Sequence, residues 1–203
     1  ANILVVNPAL PVKTMKDLVT LAKKRPGEIL YASIGNGTPS HLSAELFDNM
    51  AGIKMTHVPY KGAAPSMVSL LSGETQLTFT TVLVALPHVK TGRLRALGVA
   101  SLKRAAVMAD VPTIDEAGVR GYESIAWFAL VGPAGMPRPI VERLHREVAA
   151  MQKSRSVIET FAKAGAEMLP GTPEQLATRT RQELPLFEKI MKKAGIKYFF
   201  TTK

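Results

Sequence analysis

Short apolar runs alternate with capped helical patterns along the first part of the chain, and this alternation constrains the fold most strongly. Residues 3–6 form an apolar run typical of a buried strand, and residues 77–81 are a further predicted strand. Residues 14–17 have the form of a capping box that begins a helix. Because helices that alternate with strands usually connect strands of the same direction, the pattern favours an α/β fold with a largely parallel sheet.

The pattern changes after residue 124. Residues 125–131 form an apolar run that predicts one more strand, and the Gly- and Pro-rich residues 132–137 predict a joint between two lobes. Three helices are expected after this joint, at about 138–152, 154–164 and 173–193. These helices have little sheet of their own to cover, so the second lobe has too few strands.

Composition and charge narrow the classes of function. A hydrophobic fraction of 46% with 21% charged residues is typical of a globular protein. The absence of cysteine excludes a disulfide framework, a thiolate metal site and a cysteine nucleophile. The net charge of +10 fits an anionic partner, but no basic run that could follow a phosphate backbone is present. Nucleic acid is therefore not favoured as a partner.

Catalytic and metal-binding patterns are weak. The four histidines fall on four different predicted elements, and no pair has the i, i+4 spacing of a helical zinc site. Neither a Gly-x-Ser-x-Gly motif nor a spaced acidic partner accompanies the adjacent Ser40 and His41. We therefore expect no metal, no cofactor and no catalytic residue. His41 is interpreted as a polar residue of a first helical turn, with a donor that faces the ligand as the alternative.

The clearest functional signal is a unit of strand, glycine-containing loop and helix start that occurs twice, at residues 33–41 and 60–65. The first turn of a helix leaves N–H groups without intrahelical partners, and together with the helix dipole they attract a carboxylate or a phosphate. Glycines at 35, 37 and 62 permit positive φ and close approach of a ligand. Loops that follow neighbouring parallel strands face one crevice. The same residues are also typical of an ordinary turn and cap, and neither loop has a nucleotide-binding spacing.

An ordered set of short motifs adds a family resemblance. The motifs are NPALP at 7–11, YASIGNGTPSHL at 31–42, HVPYKG at 57–62, LPHVKTGRLRAL at 86–97, DVPT at 110–113, EAG at 116–118 and GPAG at 132–135. In this order they resemble the Bug family, the substrate-binding proteins of bacterial tripartite tricarboxylate transporters. The resemblance extends over essentially the whole chain.

The resemblance implies a type II periplasmic binding protein fold, in which two α/β lobes close on a small ligand. Residues 9–124 would form the complete, ligand-binding lobe. Residues 1–8 and 125–203 would supply the crossing strands and the carboxyl-terminal portion of the other lobe. The family has a further amino-terminal segment with a signal peptide, and we expect this chain to lack it, which would leave that lobe incomplete.

The resemblance further implies capture of a small carboxylate in the periplasm, without catalysis, for delivery to the membrane subunits of a transporter. Thr80 stands where family members often carry aspartate, which would suit a more anionic ligand. The residues predicted to bind the ligand are Ser33, Gly35, Asn36, Gly37, Thr38, Ser40, Tyr60, Lys61, Gly62, Ala63 and Thr80. The alternative is a shortened member with an oligomerisation role, whose incomplete lobe a second copy of the chain completes in a homodimer.

Overall fold

The computed structural model describes residues 2–125, 127–163, 168–193 and 195. The chain divides into two compact units. The first comprises residues 1–126 and 188–203, and the second comprises residues 127–187. The first unit contains all five strands found in the described residues.

The five strands form one sheet in the order β3-β2-β4-β1-β5. The strands are β1 (Asn2–Val6), β2 (Leu30–Ser33), β3 (Thr56–Pro59), β4 (Leu77–Thr81) and β5 (Arg95–Val99). β2 pairs in parallel with β3 and β4, whereas β1 pairs antiparallel with both β4 and β5. The expectation of a largely parallel sheet is therefore wrong at β1, which runs against its four companions. The reason is that alternation of elements carries no information on where an initial strand is inserted.

Four helices connect these strands: α1 (Met15–Lys24), α2 (Pro39–Ala51), α3 (Ala63–Ser72) and α4 (Val82–Lys90). The capping box predicted at the start of α1 is confirmed. The Asp17 N–H donates to Thr14 Oγ1 at 3.1 Å, and the Thr14 N–H donates to an Asp17 carboxylate oxygen at 2.9 Å. The predicted start of α2 is also confirmed, with Thr38 as the cap and Pro39 in the first turn. α3 begins at Ala63, slightly before the proline expected to start it.

The core of the first unit is built around β1, whose five residues are all buried. An aromatic group of Phe47, Phe79 and Tyr122 packs with ring centroids 5.9–6.1 Å apart. The Tyr122 hydroxyl donates to the Ser43 carbonyl oxygen at 2.9 Å. This bond attaches the chain beyond β5 to helix α2.

The second unit contains α5 (Arg138–Met151), α6 (Arg155–Lys163) and the part of α7 (Pro173–Lys193) up to residue 187. These helices agree with the predicted stretches, and α5 has no buried residue. The Trp127 indole N–H donates to a Glu183 carboxylate oxygen at 2.7 Å, and the Arg179 guanidinium lies 5.5 Å from the centre of the Trp127 ring. None of the described helices combines the length and apolar character that a membrane crossing requires.

The strand predicted at 125–131 is wrong in the described residues, because residues 125 and 127–131 have no strand conformation. The Phe128 side chain is 97% exposed, and Leu130 and Val131 are also exposed. An apolar run becomes a strand only where a neighbouring strand accepts its backbone hydrogen bonds. No such neighbour stands beside these residues in the described part of the chain.

Candidate functional site

The two glycine-containing loops lie side by side at one edge of the sheet. β2 and β3 are parallel, and Ser33 at the end of β2 stands opposite Pro59 at the end of β3. The Tyr60 N–H then donates to the Ser33 carbonyl oxygen at 3.0 Å. Because β4 is also parallel to β2, its final residues Thr80 and Thr81 reach the same edge. The register thus brings together both loops and the end of β4.

We name residues 33–41 the first turn and residues 60–65 the second turn. The glycine conformations predicted for them are confirmed, with φ of +134° at Gly35, +71° at Gly37 and +109° at Gly62. A Cβ atom built on Gly35 would lie 3.7 Å from the Tyr60 carbonyl oxygen. The Tyr60 carbonyl therefore lies so close to Gly35 that any side chain there would already be in van der Waals contact with the second turn.

Side chains within the first turn already bind several of its N–H groups. The Ile34 N–H donates to Ser40 Oγ at 3.1 Å, and the Gly35 N–H donates to Ser33 Oγ at 3.1 Å. Thr38 Oγ1 donates to the Gly35 carbonyl oxygen at 2.6 Å. Ser33 and Ser40 are both buried. The hydroxyls of these three residues thus hold the turn in shape, a role that residue spacing does not reveal.

The N–H groups that stay available lie at the helix starts. Pro39 has no N–H, so the first turn of α2 offers those of Ser40 and His41, which have no intrahelical partner. The first turn of α3 offers those of Ala63 and Ala64 in the same way. Both pairs belong to helices that begin at the shared edge of the sheet. Their partial positive charge suits an anion.

Charged and exposed side chains at this edge are few. Asn36 and Lys61 are exposed, one in each turn, and Thr80 is half-buried at the end of β4. Lys61 is the cation of the two turns. The exposed apolar side chains Ile34 and Leu83 follow directly after β2 and β4. The edge thus offers main-chain donors, one cation and a small apolar border.

A buried polar group lies behind the first turn, and sequence reasoning missed it. We name it the histidine cluster, and it consists of Tyr31, Ser33, His41, Glu45 and His57. The rings of His41 and His57 stack with centroids 3.7 Å apart and planes at 15°. The prediction that the histidines fall on different elements is correct for this pair, which lies on α2 and β3. The register of β2 and β3 brings the Tyr31 and His57 rings to 5.0 Å, whereas His41 joins them from α2, a contact that neither register nor residue spacing reveals.

Hydrogen bonds connect the histidine cluster to the first turn. His57 Nε2 lies 2.6 Å from Ser33 Oγ, and His41 Nδ1 accepts the Gly37 N–H at 3.1 Å. The Tyr31 hydroxyl donates to Glu45 Oε1 at 2.6 Å, and His41 Nε2 lies 3.7 Å from the same oxygen. Each member of the cluster therefore has a polar partner.

The environment of the cluster shifts three pKa values. Burial, with a smaller contribution from His41, lowers the pKa of His57 to about 4. Burial and the hydrogen bond to Glu45 raise the pKa of Tyr31. Burial acts to raise the pKa of Glu45, but the hydrogen bonds to His41 and Tyr31 outweigh it and the pKa is lowered. At neutral pH the cluster therefore holds a neutral His57 next to an ionised Glu45.

The cluster does not resemble a metal centre, since within the described ranges no group of three His, Cys, Asp or Glu side chains is arranged to hold an ion. A cavity of about 340 Å³ lies at the opposite edge of the sheet, beside the beginning of β5. Its lining residues are Pro8, Val89, Gly92, Leu94, Arg95, Ala96 and Val111. It contains none of the predicted ligand-binding residues.

Known proteins similar to this chain share its whole described fold. The family model for the tripartite tricarboxylate transporter family receptor, TctC, matches residues 1–196. Protein BugT from Bordetella pertussis is 32% identical over 195 residues, covering 96% of this chain and 60% of BugT. The chain thus spans about 60% of the length of this curated relative.

Two solved structures agree with this match. An R. palustris protein solved with adipate superposes with a TM-score of 0.84 at 39% identity, over 96% of this chain and 65% of that one. The periplasmic binding protein BugD superposes with a TM-score of 0.81 at 30% identity, over 97% of this chain and 66% of BugD. The α/β periplasmic-binding-protein fold and the resemblance to Bug proteins are both confirmed. The chain belongs to the TctC family of tripartite tricarboxylate transporter receptors.

Proposed function

We propose that this protein binds a small organic anion through its carboxylate groups and acts as a receptor of a tripartite tricarboxylate transporter. The observation that carries the proposal is the pair of glycine-containing turns at one sheet edge, each followed by a helix start with available N–H groups. Family membership supports the same role, and a relative at 39% identity was solved with adipate.

The described geometry separates two kinds of residue within the proposed site. The N–H groups of Ser40, His41, Ala63 and Ala64 and the side chains of Asn36, Lys61 and Thr80 would contact the anion, and Gly62 would permit its close approach. Residues that would hold the turns in shape are Ser33, Gly35, Gly37, Thr38, Tyr60 through its N–H, and Ser40 through its hydroxyl. This division is inferred from which polar atoms are already hydrogen-bonded within the turns; the buried Tyr60 hydroxyl has no hydrogen-bond partner among the described residues.

The proposed electrostatics favour anions with two or more carboxylates. Helix-start N–H groups and Lys61 supply partial and full positive charge, while no acidic residue lies within either turn. Thr80 keeps the end of β4 neutral. A ligand with an ammonium group would find no carboxylate in these turns to pair with it.

The proposal places the protein in the periplasm, with the membrane subunits of a transporter as partners, as for the family it belongs to. Its role there is binding and not catalysis. Residues 9–124 would form the ligand-binding lobe together with β1, which lies inside the same sheet. No comparison supports the alternative of an oligomerisation role with a second copy of the chain.

Calorimetry with adipate and citrate tests this proposal, with the uncharged diamide of adipate as ligand control. We expect an acid to bind and the diamide not to bind. Lys61→Met should weaken binding by roughly five- to tenfold, because a charged hydrogen bond at an exposed site is lost. Lys23→Met, on the exposed face of α1, is the matched control and should bind as the unmodified chain does. Equal affinity of the two variants, or no binding of any acid, would contradict the proposal.

A further inference from the structure

We propose that His41 and His57 are positioning residues that hold the two turns in the geometry needed to bind an anion. The inference rests on the proposed function for its consequence in binding, but the geometry that it describes can be tested without a ligand. Neither histidine was among the residues predicted to bind the ligand.

His41 fixes the backbone of the first turn. Its Nδ1 accepts the Gly37 N–H at 3.1 Å, so that this nitrogen carries no proton. The remaining ring proton is then on Nε2, on the side of Glu45, whose oxygen lies 3.7 Å away. His41 also contributes one of the available N–H groups of α2. The ring of His41 thus holds the Gly37 backbone in place, while its own N–H belongs to the helix start that would bind the anion.

His57 links the first turn to the second. Its Nε2 lies 2.6 Å from Ser33 Oγ, and this hydroxyl in turn contacts both the N–H and the carbonyl oxygen of Gly35 at 3.1 Å. His57 belongs to β3, the strand that leads directly into Tyr60 and the second turn. A shift of His57 therefore moves Ser33 and the start of the second turn together.

The two rings act as one unit because they stack at 3.7 Å. Burial first, and then the neighbouring His41, lowers the pKa of His57 to about 4, so His57 is neutral at neutral pH. A His41 ring with a proton on Nδ1 could not accept the Gly37 N–H, so this hydrogen bond requires the free Nδ1. The other groups packed against the pair are Tyr31 from β2, stacked on His57 at 5.0 Å, and Glu45 from α2.

Conservative and disruptive variants of His41 separate positioning from simple packing. An asparagine at this position places a carbonyl oxygen close to the position of Nδ1, whereas a phenylalanine keeps a ring for stacking and has no acceptor. We expect His41→Phe to accelerate hydrogen exchange of the Gly37 amide by roughly five- to tenfold, the loss of about one hydrogen bond, while His41→Asn stays near the unmodified rate. Adipate affinity should follow the same order.

His57 offers the same comparison. Glutamine places an amide group close to the position of Nε2, and leucine removes the polar contact to Ser33. His57→Gln should retain adipate binding, while His57→Leu should weaken it without loss of the fold by circular dichroism. Gly37 exchange that is unchanged in His41→Phe, or equal in His41→Phe and His41→Asn, would overturn the positioning role.

An NMR coupling across the hydrogen bond between the Gly37 N–H and His41 Nδ1 gives a readout that needs neither a ligand nor a substitution. In the unmodified chain this coupling should be detected, with the ring proton of His41 on Nε2. Absence of the coupling, or a His41 ring proton on Nδ1 alone, would refute the inference. Absence of adipate binding with the expected Gly37 behaviour would reject the proposed function alone.

Discussion

At the scale of single residues, Asp48 on α2 shows how burial sets a pH dependence. Its Oδ2 accepts the Met55 N–H at 2.7 Å, while its buried Oδ1 has no hydrogen-bond partner among the described residues. Burial raises the pKa of Asp48 from 3.8 to about 7. The folded state therefore binds more protons than the unfolded state between these two values, so that stability decreases as pH rises from about 4 to above 7.

Asp48→Asn should remove this dependence. We expect the free energy of unfolding of the variant, relative to the unmodified chain, to improve by roughly 2–4 kcal/mol between pH 4 and pH 8.5, since one pKa unit corresponds to about 1.4 kcal/mol. Urea denaturation at the two pH values measures the difference. The lowered pKa of His57 has the opposite effect, because it decreases the free energy of unfolding as pH falls from 6.5 toward 4. Since His57 is present in both proteins, its contribution cancels when the variant is compared with the unmodified chain.

The exposed Asp110 supplies a control for this measurement. Asp110→Asn changes the same functional group but buries nothing, so its stability difference should stay nearly constant with pH. The interpretation of Asp48 would be wrong if both variants showed the same pH dependence.

Single residues of the site were predictable to different degrees. The left-handed conformations of Gly35, Gly37 and Gly62 follow from residue type and loop context, and they are confirmed. The contact of Ser33 with His57 and the stacking of Tyr31 on His57 depend on strand register, which residue spacing does not determine. Sequence reasoning therefore located the turns but could not separate contact residues from those that shape the turns.

At the scale of elements, the packing of side chains on β5 depends on a close approach at Gly98. A Cβ atom on Gly98 would lie 2.8 Å from Ile114 Cγ1 and 3.0 Å from Met15 Cε. The register between β1 and β5 also shifts beside this position, between Leu4 and Val5. The glycine lets the Ile114 and Met15 side chains pack directly on β5.

Gly98→Ala should therefore destabilise the chain by about 1–3 kcal/mol, the usual cost of overpacking a core. Thermal or urea denaturation measures this change. Gly171→Ala is the control, because its Cβ would meet only the flexible end of Gln175 at 3.4 Å. Equal stability of the two variants would show that the Ile114 and Met15 side chains rearrange around the added Cβ without a cost in stability.

The elements themselves were largely predictable, and the exceptions have one cause. Thr14 and Asp17 cap α1 through local contacts, so their pattern is sufficient. The direction of β1, the exception in an otherwise parallel sheet, and the conformation of residues 125 and 127–131 depend on which strands lie beside them. Such non-local pairing is absent from hydrophobic periodicity, so neither feature could be predicted from it.

At the scale of the whole molecule, the two units differ in how many side chains they bury. β1 in the first unit is completely buried, whereas α5 in the second unit has no buried residue. Exposed apolar side chains in residues 127–187 include Phe128, Leu130 and Val131. Local opening requires less free energy where few apolar contacts are lost.

We therefore expect amides of α5 to exchange with solvent much faster than those of β1 under native conditions. Hydrogen exchange followed by mass spectrometry measures the two peptides in one experiment. Equal protection of α5 and β1 would show that the chain opens only as a single cooperative unit.

The insertion of β1 between β4 and β5 has a consequence for biosynthesis. Ile3 precedes its two ladder partners, Thr80 and Val99, by 77 and 96 residues along the chain. An emerging polypeptide must therefore keep this apolar segment unpaired until those partners have also been synthesised. Factors that shield nascent chains from aggregation would have their greatest effect during that interval.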